Sequence, residues 1–209
     1  RGLVLLLQEL FADRDNVEII GTDAMTVCWQ ELIEKHFPGF APVKLVSNLP
    51  YVISGPFLYS LMEECFPFDT AVLMFQKEVA ARITAAPGSE SYGALSVICQ
   101  YYCRSSMLFS LGSNVFWPKP NVGSAVVKLQ PATRLLPPEV ESSFRKLVKG
   151  LFRQRRKTIS NNMQSYLSLS LGTVTGILDK AGIDGRQRPE ELSPGQFANL
   201  ARLTYNYHK

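Results

Sequence analysis

Pro42-Val43-Lys44-Leu45-Val46-Ser47-Asn48-Leu49-Pro50-Tyr51 is the stretch whose reading decides the fold. Val43–Ser47 has strand length and strand composition, and Pro42 introduces it from a turn. It runs without a break into Asn48-Leu49-Pro50-Tyr51, which places that tetrapeptide at the carboxyl end of a strand. Upstream, Gly2–Phe11 carries leucines at 3, 6, 7 and 10, a helical spacing. Asp13–Asn16 is a turn cluster, Val17–Ile20 reads as a short strand ending at Gly21-Thr22-Asp23, and Glu31–Phe37 as a helix. Downstream, Ser54–Cys65 reads as a helix with Pro56 in its first turn. Thr70–Gln76 is a continuous apolar run, as expected of a strand covered on both faces. Helices over 77–85 and 93–103 and strands over 107–111 and 124–129 follow, and this alternation argues for an α/β sheet. In open α/β sheets ligands sit at the carboxyl ends of the strands, where the tetrapeptide lies.

Beyond Pro137-Pro138 the pattern is helical only. Residues 140–167 contain a long amphipathic segment with Phe144, Leu147, Val148 and Leu151 on one side; 171–181 and 194–205 are shorter helices. The boundary falls near 131–138, giving domains 1–133 and 134–209. Charge divides at the same place. Residues 1–130 hold nine Lys/Arg and twelve Asp/Glu, a balance of −3; residues 131–209 hold thirteen and six, a balance of +7. An acidic part that binds something small, joined to a basic part that meets a polyanion, fits this asymmetry.

Composition narrows the classes further. With 46% hydrophobic and 19% charged residues, the 209-residue chain can bury a large core. The apolar run Leu3–Leu7 is too short for a membrane span or a secretory segment, so a soluble cytoplasmic protein with no membrane partner is expected. Cys28, Cys65, Cys99 and Cys103 read as reduced, buried thiols, and no cluster completes a metal site. His36 and His208 stand in no nucleophile motif and read as solvated or capping residues.

Two groups of residues carry chemistry. An adenine's exocyclic amine is a poor nucleophile because its lone pair is delocalised into the ring. Two acceptors aimed at its hydrogens pull the nitrogen towards a tetrahedral shape, and the Asn48 side chain and the Leu49 carbonyl supply such a pair. Pro50 fixes the backbone beside them, and Tyr51 offers a face for an unstacked base. A strand-ending turn would use Asn and Pro equally well. The second group is Arg145, Lys146, Lys149, Arg153, Arg155, Arg156 and Lys157, seven cations in thirteen residues without an acid. On a continuous helix Lys149, Arg153 and Arg156 share one face, a phosphate footprint. Lys157–Asn162 continues it with hydroxyls and amides suited to sugar or phosphate.

The stretches VSNLPYVISGPFL, MFQKEVAARI, YGALSVICQYY, FWPKPNVGSAVVKL, LFRQRRKTISNNM and RPEELS occur in this order along the chain. In them the sequence resembles the ribosomal RNA adenine dimethyltransferase family, over nearly all of residues 1–200. The resemblance implies a Rossmann-like class I methyltransferase sheet, incomplete at its amino-terminal end, plus a small all-helical rRNA-binding domain. It implies S-adenosyl-L-methionine as methyl donor and dimethylation of two adjacent adenines of small-subunit rRNA in a pre-ribosomal particle, by a monomer needing no metal. Asp23 and Ala24, with Asn48, correspond to cofactor-binding positions, Asp23 as acceptor for the cofactor's adenine amine. Asn48, Leu49, Pro50, Tyr51 and Phe116 correspond to the catalytic edge, with Tyr51 and Phe116 sandwiching the target base. Trp117 either lines the RNA entrance or covers the hinge. Lys149, Arg153, Arg155, Arg156 and Lys157 are the expected RNA contacts.

Two departures stand out. No Gly-x-Gly occurs, so the glycine-rich cofactor loop and the ribose acid are missing; the chain reads as amino-terminally truncated, and as given it is expected to bind the cofactor weakly and to be inactive. Gly123 stands where the family often has Asp. Alternatives on the same fold are a macrolide-resistance type methylase of large-subunit rRNA and a non-catalytic nucleic-acid-binding assembly or transcription factor.

Overall fold

The apolar run 70–76 forms the central strand. In the computed structural model, which describes residues 2–39, 41–63 and 67–207, it is β2 (Thr70–Gln76); β1 is Lys44–Asn48, β3 Cys103–Leu111 and β4 Ser124–Pro131. The sheet order is β1-β2-β4-β3. β1 runs parallel to β2, while β4 lies antiparallel between β2 and β3, so the sheet is mixed. Leu73, Met74 and Phe75 are consecutive buried residues of β2, as two covered faces require.

The helices are α1 (Gly2–Leu10), α2 (Trp29–His36), α3 (Tyr51–Glu63), α4 (Lys77–Thr84), α5 (Ala94–Tyr102), α6 (Pro138–Leu151), α7 (Ile159–Leu167), α8 (Leu171–Ala181) and α9 (Pro194–Thr204). α1 buries none of its residues; Leu3, Leu5, Leu6 and Leu10 are exposed. Cys65, His208 and the far end of the helix expected over 54–65 lie outside the described residues.

Four expectations need correction. Residues 17–20 form no strand: their backbone makes only turn hydrogen bonds, such as Val17 N–H to Arg14 O at 3.0 Å, and they join no ladder. The segment is held instead by Glu18, whose Oε2 lies 2.7 Å from Nδ1 of His36 at the end of α2. α3 begins at Tyr51, so Pro56 falls in its second turn. The carbonyl that loses its donor there belongs to Val52, which is 90% exposed and open to water. Cys28 is exposed; among the described residues Cys99 and Cys103 are buried thiols as expected, and burial pushes the Cys99 thiol up to about 12. The helix expected over 140–167 is broken, and this bears on the basic run.

α6 stops at Leu151, a 3-10 turn covers Phe152–Gln154, and α7 starts afresh at Ile159. The break has local causes. Phe152 turns inward against Phe197 and Tyr92, with ring centroids at 5.7 and 6.4 Å. Thr158 caps α7 through its side chain, which accepts the Asn161 N–H. The buried Asn162 amide donates to Gln154 O at 3.0 Å and hooks the turn from below. α6 and α7 then pack closely at Gly150, where an added Cβ would overlap the Tyr166 ring, and the Tyr166 hydroxyl donates to Lys146 O at 3.0 Å. Gly150→Val should therefore destabilise the fold by about 1–3 kcal/mol from overpacking. A thermal melt should show it as a drop of roughly 2–10 °C; an unchanged Tm would mean the helices separate without cost.

The sheet and the carboxy-terminal helices share one buried cluster, which runs from Leu49 through Phe75 and Val97 to Phe144 and Phe197. Polar bonds cross the same seam. Glu141, buried on α6, accepts from the Tyr101 and Tyr102 hydroxyls of α5 at 3.3 Å each and from Arg134 at 3.2 Å. The buried Tyr92 donates its hydroxyl to Leu192 O at 2.9 Å. These bonds tie α5 and the segment before it to α6 and to the segment before α9.

Candidate active site and RNA-binding face

The carboxyl end of β1 presents Asn48, exposed, followed by the buried Leu49 and the exposed Pro50. Asn48 pairs in register with Met74, so the tetrapeptide stands beside the end of β2. Burial of the Leu49 side chain anchors the turn, while the exposed Asn48 side chain is free to meet a ligand. Tyr51 opens α3, and its hydroxyl lies 2.6 Å from Ser124 Oγ. Ser124 is fully buried at the start of β4, paired with Gln76 on one side and Leu111 on the other. This bond ties the aromatic ring to the sheet and sets its orientation. Composition and motif reading did not pick out Ser124; its place as the first inward residue of the β4 pattern was the available signal.

An open cleft of about 410 Å³ lies at the same strand ends, lined by Gln76, Lys77, Glu78, Ala81, Val122 and Gly123. Gly123 sits in a close approach of two backbone segments. Its carbonyl accepts the Lys77 N–H at 2.9 Å, and a Cβ would stand 3.1 Å from the Leu111 carbonyl. Phe116 follows a 3-10 turn over Ser113–Val115 and is half-buried in extended backbone. Trp117 covers nothing: it is 97% exposed.

Asp23 closes its own turn, its Oδ1 accepting the Met25 N–H at 2.9 Å. Ala24 and Met25 pack against the core, which holds the exposed Asp23 carboxylate in place. A carboxylate with one oxygen used locally and the other left over suits the amine of an adenine moiety, so these residues fit the cofactor role that the resemblance implies for them.

Tyr51 separates stacking from hydroxyl chemistry. Tyr51→Phe keeps the ring but leaves Ser124 without its partner, a cost of about 1 kcal/mol in stability. Its kcat/KM should stay within about tenfold of the parent. If the ring stacks a base as the resemblance implies, a face worth about 1–3 kcal/mol per base, Tyr51→Ala in the intact enzyme should lower kcat/KM roughly 5- to 100-fold. Equal damage from both substitutions would show that the hydroxyl matters as much as the ring and would overturn the stacking account.

The basic run is split: Arg145, Lys146 and Lys149 lie on α6, whereas Arg153, Arg155, Arg156 and Lys157 lie on the turn that follows it. Arg153, Arg156 and Lys157 are exposed on it. Arg155 is engaged: Nε and Nη2 donate to Glu190 Oε2 at 3.3 and 3.1 Å, and Nη2 also donates to Tyr92 O at 3.2 Å. Lys149, on α6, holds its ammonium 4.8 Å from the ring centroid of Tyr59 on α3. The Glu190 and Tyr59 partners come from distant segments, and no local pattern reveals them. No group of three or more metal-ligating side chains and no membrane-length apolar helix occurs among the described residues.

Known proteins place this arrangement. The sequence profile described as ribosomal RNA adenine dimethylase matches residues 1–205. The ribosomal RNA small subunit methyltransferase A of Staphylococcus aureus strain JH9 is 41% identical over 202 residues, covering 95% of this chain and 68% of the relative; that of strain Newman matches to the same extent. In three dimensions the fold is similar to a crystal structure of a dimethyladenosine transferase from Plasmodium falciparum, with TM-score 0.77 and 22% identity over 98% of this chain and 78% of that one. It is also similar to the 23S rRNA methyltransferase ErmE, with TM-score 0.68 and 22% identity over 97% and 78% of the two chains. A Rossmann-like sheet, Asn-Leu-Pro-Tyr at the carboxyl end of β1 and a matching profile over almost the whole length agree: the chain belongs to the ribosomal RNA adenine dimethylase family.

Proposed function

We propose that the protein transfers methyl groups from S-adenosylmethionine to the exocyclic amines of two adjacent adenines in small-subunit rRNA, acting as a cytoplasmic monomer on an assembling particle. The observation that carries this reading is the 41% identity to a small-subunit methyltransferase over 202 residues, a span that includes both the tetrapeptide and the basic turn. In this reading residues 1–133 hold the reactive edge and residues 134–209 the main rRNA-binding face.

The cofactor, when bound, supplies an electrophilic methyl group. The chain's own residues prepare the nucleophile. Asn48 Oδ1 and the Leu49 carbonyl accept the two amine hydrogens, while Tyr51 and Phe116 hold the ring between them. With the cofactor held at Asp23, Ala24 and Asn48, the nitrogen so prepared would accept its methyl group, and the surplus proton would leave to water. A singly methylated amine has one hydrogen left, so the second transfer relies on one acceptor and on the stacked ring. Arg153, Arg156, Lys157 and Lys149 supply phosphate contacts, and Arg155 lies among them.

Dimethylation removes both amine hydrogens and blocks base pairing, so reverse transcriptase stops beside the modified base. Primer extension on rRNA from cells with and without the enzyme tests the reading. Paired stops confined to small-subunit rRNA are expected. Stops in large-subunit rRNA, or none in either, would overturn it.

A further inference from the structure

Trp117 is the one large aromatic that the described fold leaves almost wholly in water, at 97% exposure. Tryptophan is on average a strongly buried residue, so a fully exposed one beside a reactive edge calls for a partner. Its setting is ordered. The Ser113–Val115 turn precedes it, Pro118 and Pro120 restrict the backbone after it, and Gly123 is bonded to Lys77. Val115, two residues before it, and Val122, five residues after, are 65% and 44% exposed, and Lys119 adds an exposed cation two residues on.

Backbone geometry separates Trp117 from the target pocket. Phe116 is extended, with φ −113° and ψ 147°. Successive side chains of an extended backbone point to opposite sides. Phe116 turns in and is half-buried, so Trp117 turns out and cannot share the sandwich around the same base. A flat indole open to water, with a cation two residues on in the chain, matches the way single-stranded RNA is held, by bases stacked on aromatics and phosphates met by cations.

We propose that Trp117 is the stacking platform for the nucleotide next to the target adenine, with Lys119 meeting that nucleotide's phosphate. This rests on the rRNA adenine reading above and adds to it a residue that grips the substrate strand without touching the reacting base.

The chain has two tryptophans, and this makes the test clean. Trp29 packs edge-on against Phe57 and Phe68 at 5.8 and 5.6 Å, so it emits at short wavelength, whereas Trp117 emits as a hydrated indole. The probe is a short single-stranded RNA with two adjacent adenines, titrated at low salt to saturation as judged by the anisotropy of a dye on the RNA. Quenching of the long-wavelength emission is expected, and Trp117→Phe should remove that emission. Trp117→Ala should weaken RNA binding about 5- to 100-fold, while Trp117→Phe keeps most of the affinity. An abasic nucleotide beside the target adenine should weaken the parent by the same factor and leave Trp117→Ala unaffected. Circular dichroism and the Trp29 emission serve as folding controls. Unchanged long-wavelength emission at saturation overturns the proposal, as does an abasic penalty of equal size in the parent and Trp117→Ala. Emission that shifts with protein concentration alone overturns it too, in favour of a self-association surface. Quenching with no methylation of any rRNA would leave Trp117 in its role and remove the adenine reading instead.

Discussion

Replacing Asn48 with alanine should lower kcat about 10²- to 10³-fold, the usual loss when one preorganised transition-state contact is removed, while rRNA affinity stays within about twofold. The asymmetry follows from timing. In the ground state the amine is planar and water can satisfy its hydrogens. The Asn48 acceptor matters most as the nitrogen becomes tetrahedral, so its loss falls on kcat rather than on binding. Folding should be spared, because Asn48 is exposed at the end of an edge strand and such substitutions shift stability by about 0.5 kcal/mol or less. Single-turnover kinetics with saturating RNA read the effect directly. A raised KM with kcat intact would mean that Asn48 only binds substrate.

The second large effect lies on the basic turn. Reversing Arg153 and Arg156 to Glu should weaken binding to the small-subunit particle by at least about tenfold and flatten its salt dependence by roughly one unit of slope per lost phosphate contact. Both residues are exposed, and neither belongs to the buried cluster formed by Phe144, Leu147 and Leu151 of α6. The fold should therefore survive, as circular dichroism would show. Arg155 behaves differently in the same experiment, because its guanidinium already bridges Glu190 and the Tyr92 carbonyl across the seam. Filter binding across a salt series is the measurement. An unchanged slope in a folded double variant would mean that this turn does not meet rRNA.

Much of this was legible in the chain. The run 70–76 became the buried central strand with the bounds read from its apolar residues, because a strand covered on both faces has no polar alternation to blur its ends. The tetrapeptide sits at the strand end where Val43–Ser47 placed it. The helix break at 152–158 was harder to see. Periodicity continues through it, and the residues that cause it are the inward Phe152, whose partners Tyr92 and Phe197 are far away in sequence, and the cap Thr158. Residues 17–20 are β-branched enough for a strand, but a strand also needs a neighbour, and the described sheet offers them none. The Tyr51–Ser124 bond spans 73 positions and the Arg155–Glu190 pair 35, and no window of sequence holds either. In each case the local element was readable, and what escaped was the distant side chain that finishes it.

The most direct measurement is quantification of N6,N6-dimethyladenosine in small-subunit rRNA by mass spectrometry, from cells lacking the native enzyme and supplied with either the parent sequence or Asn48→Ala in the intact protein. Two dimethylated adenines per rRNA with the parent, and a near-complete loss with Asn48→Ala at equal protein level, are predicted. Full dimethylation by the Asn48→Ala variant would contradict the assignment of the Asn48-Leu49-Pro50-Tyr51 edge as the site of methyl transfer.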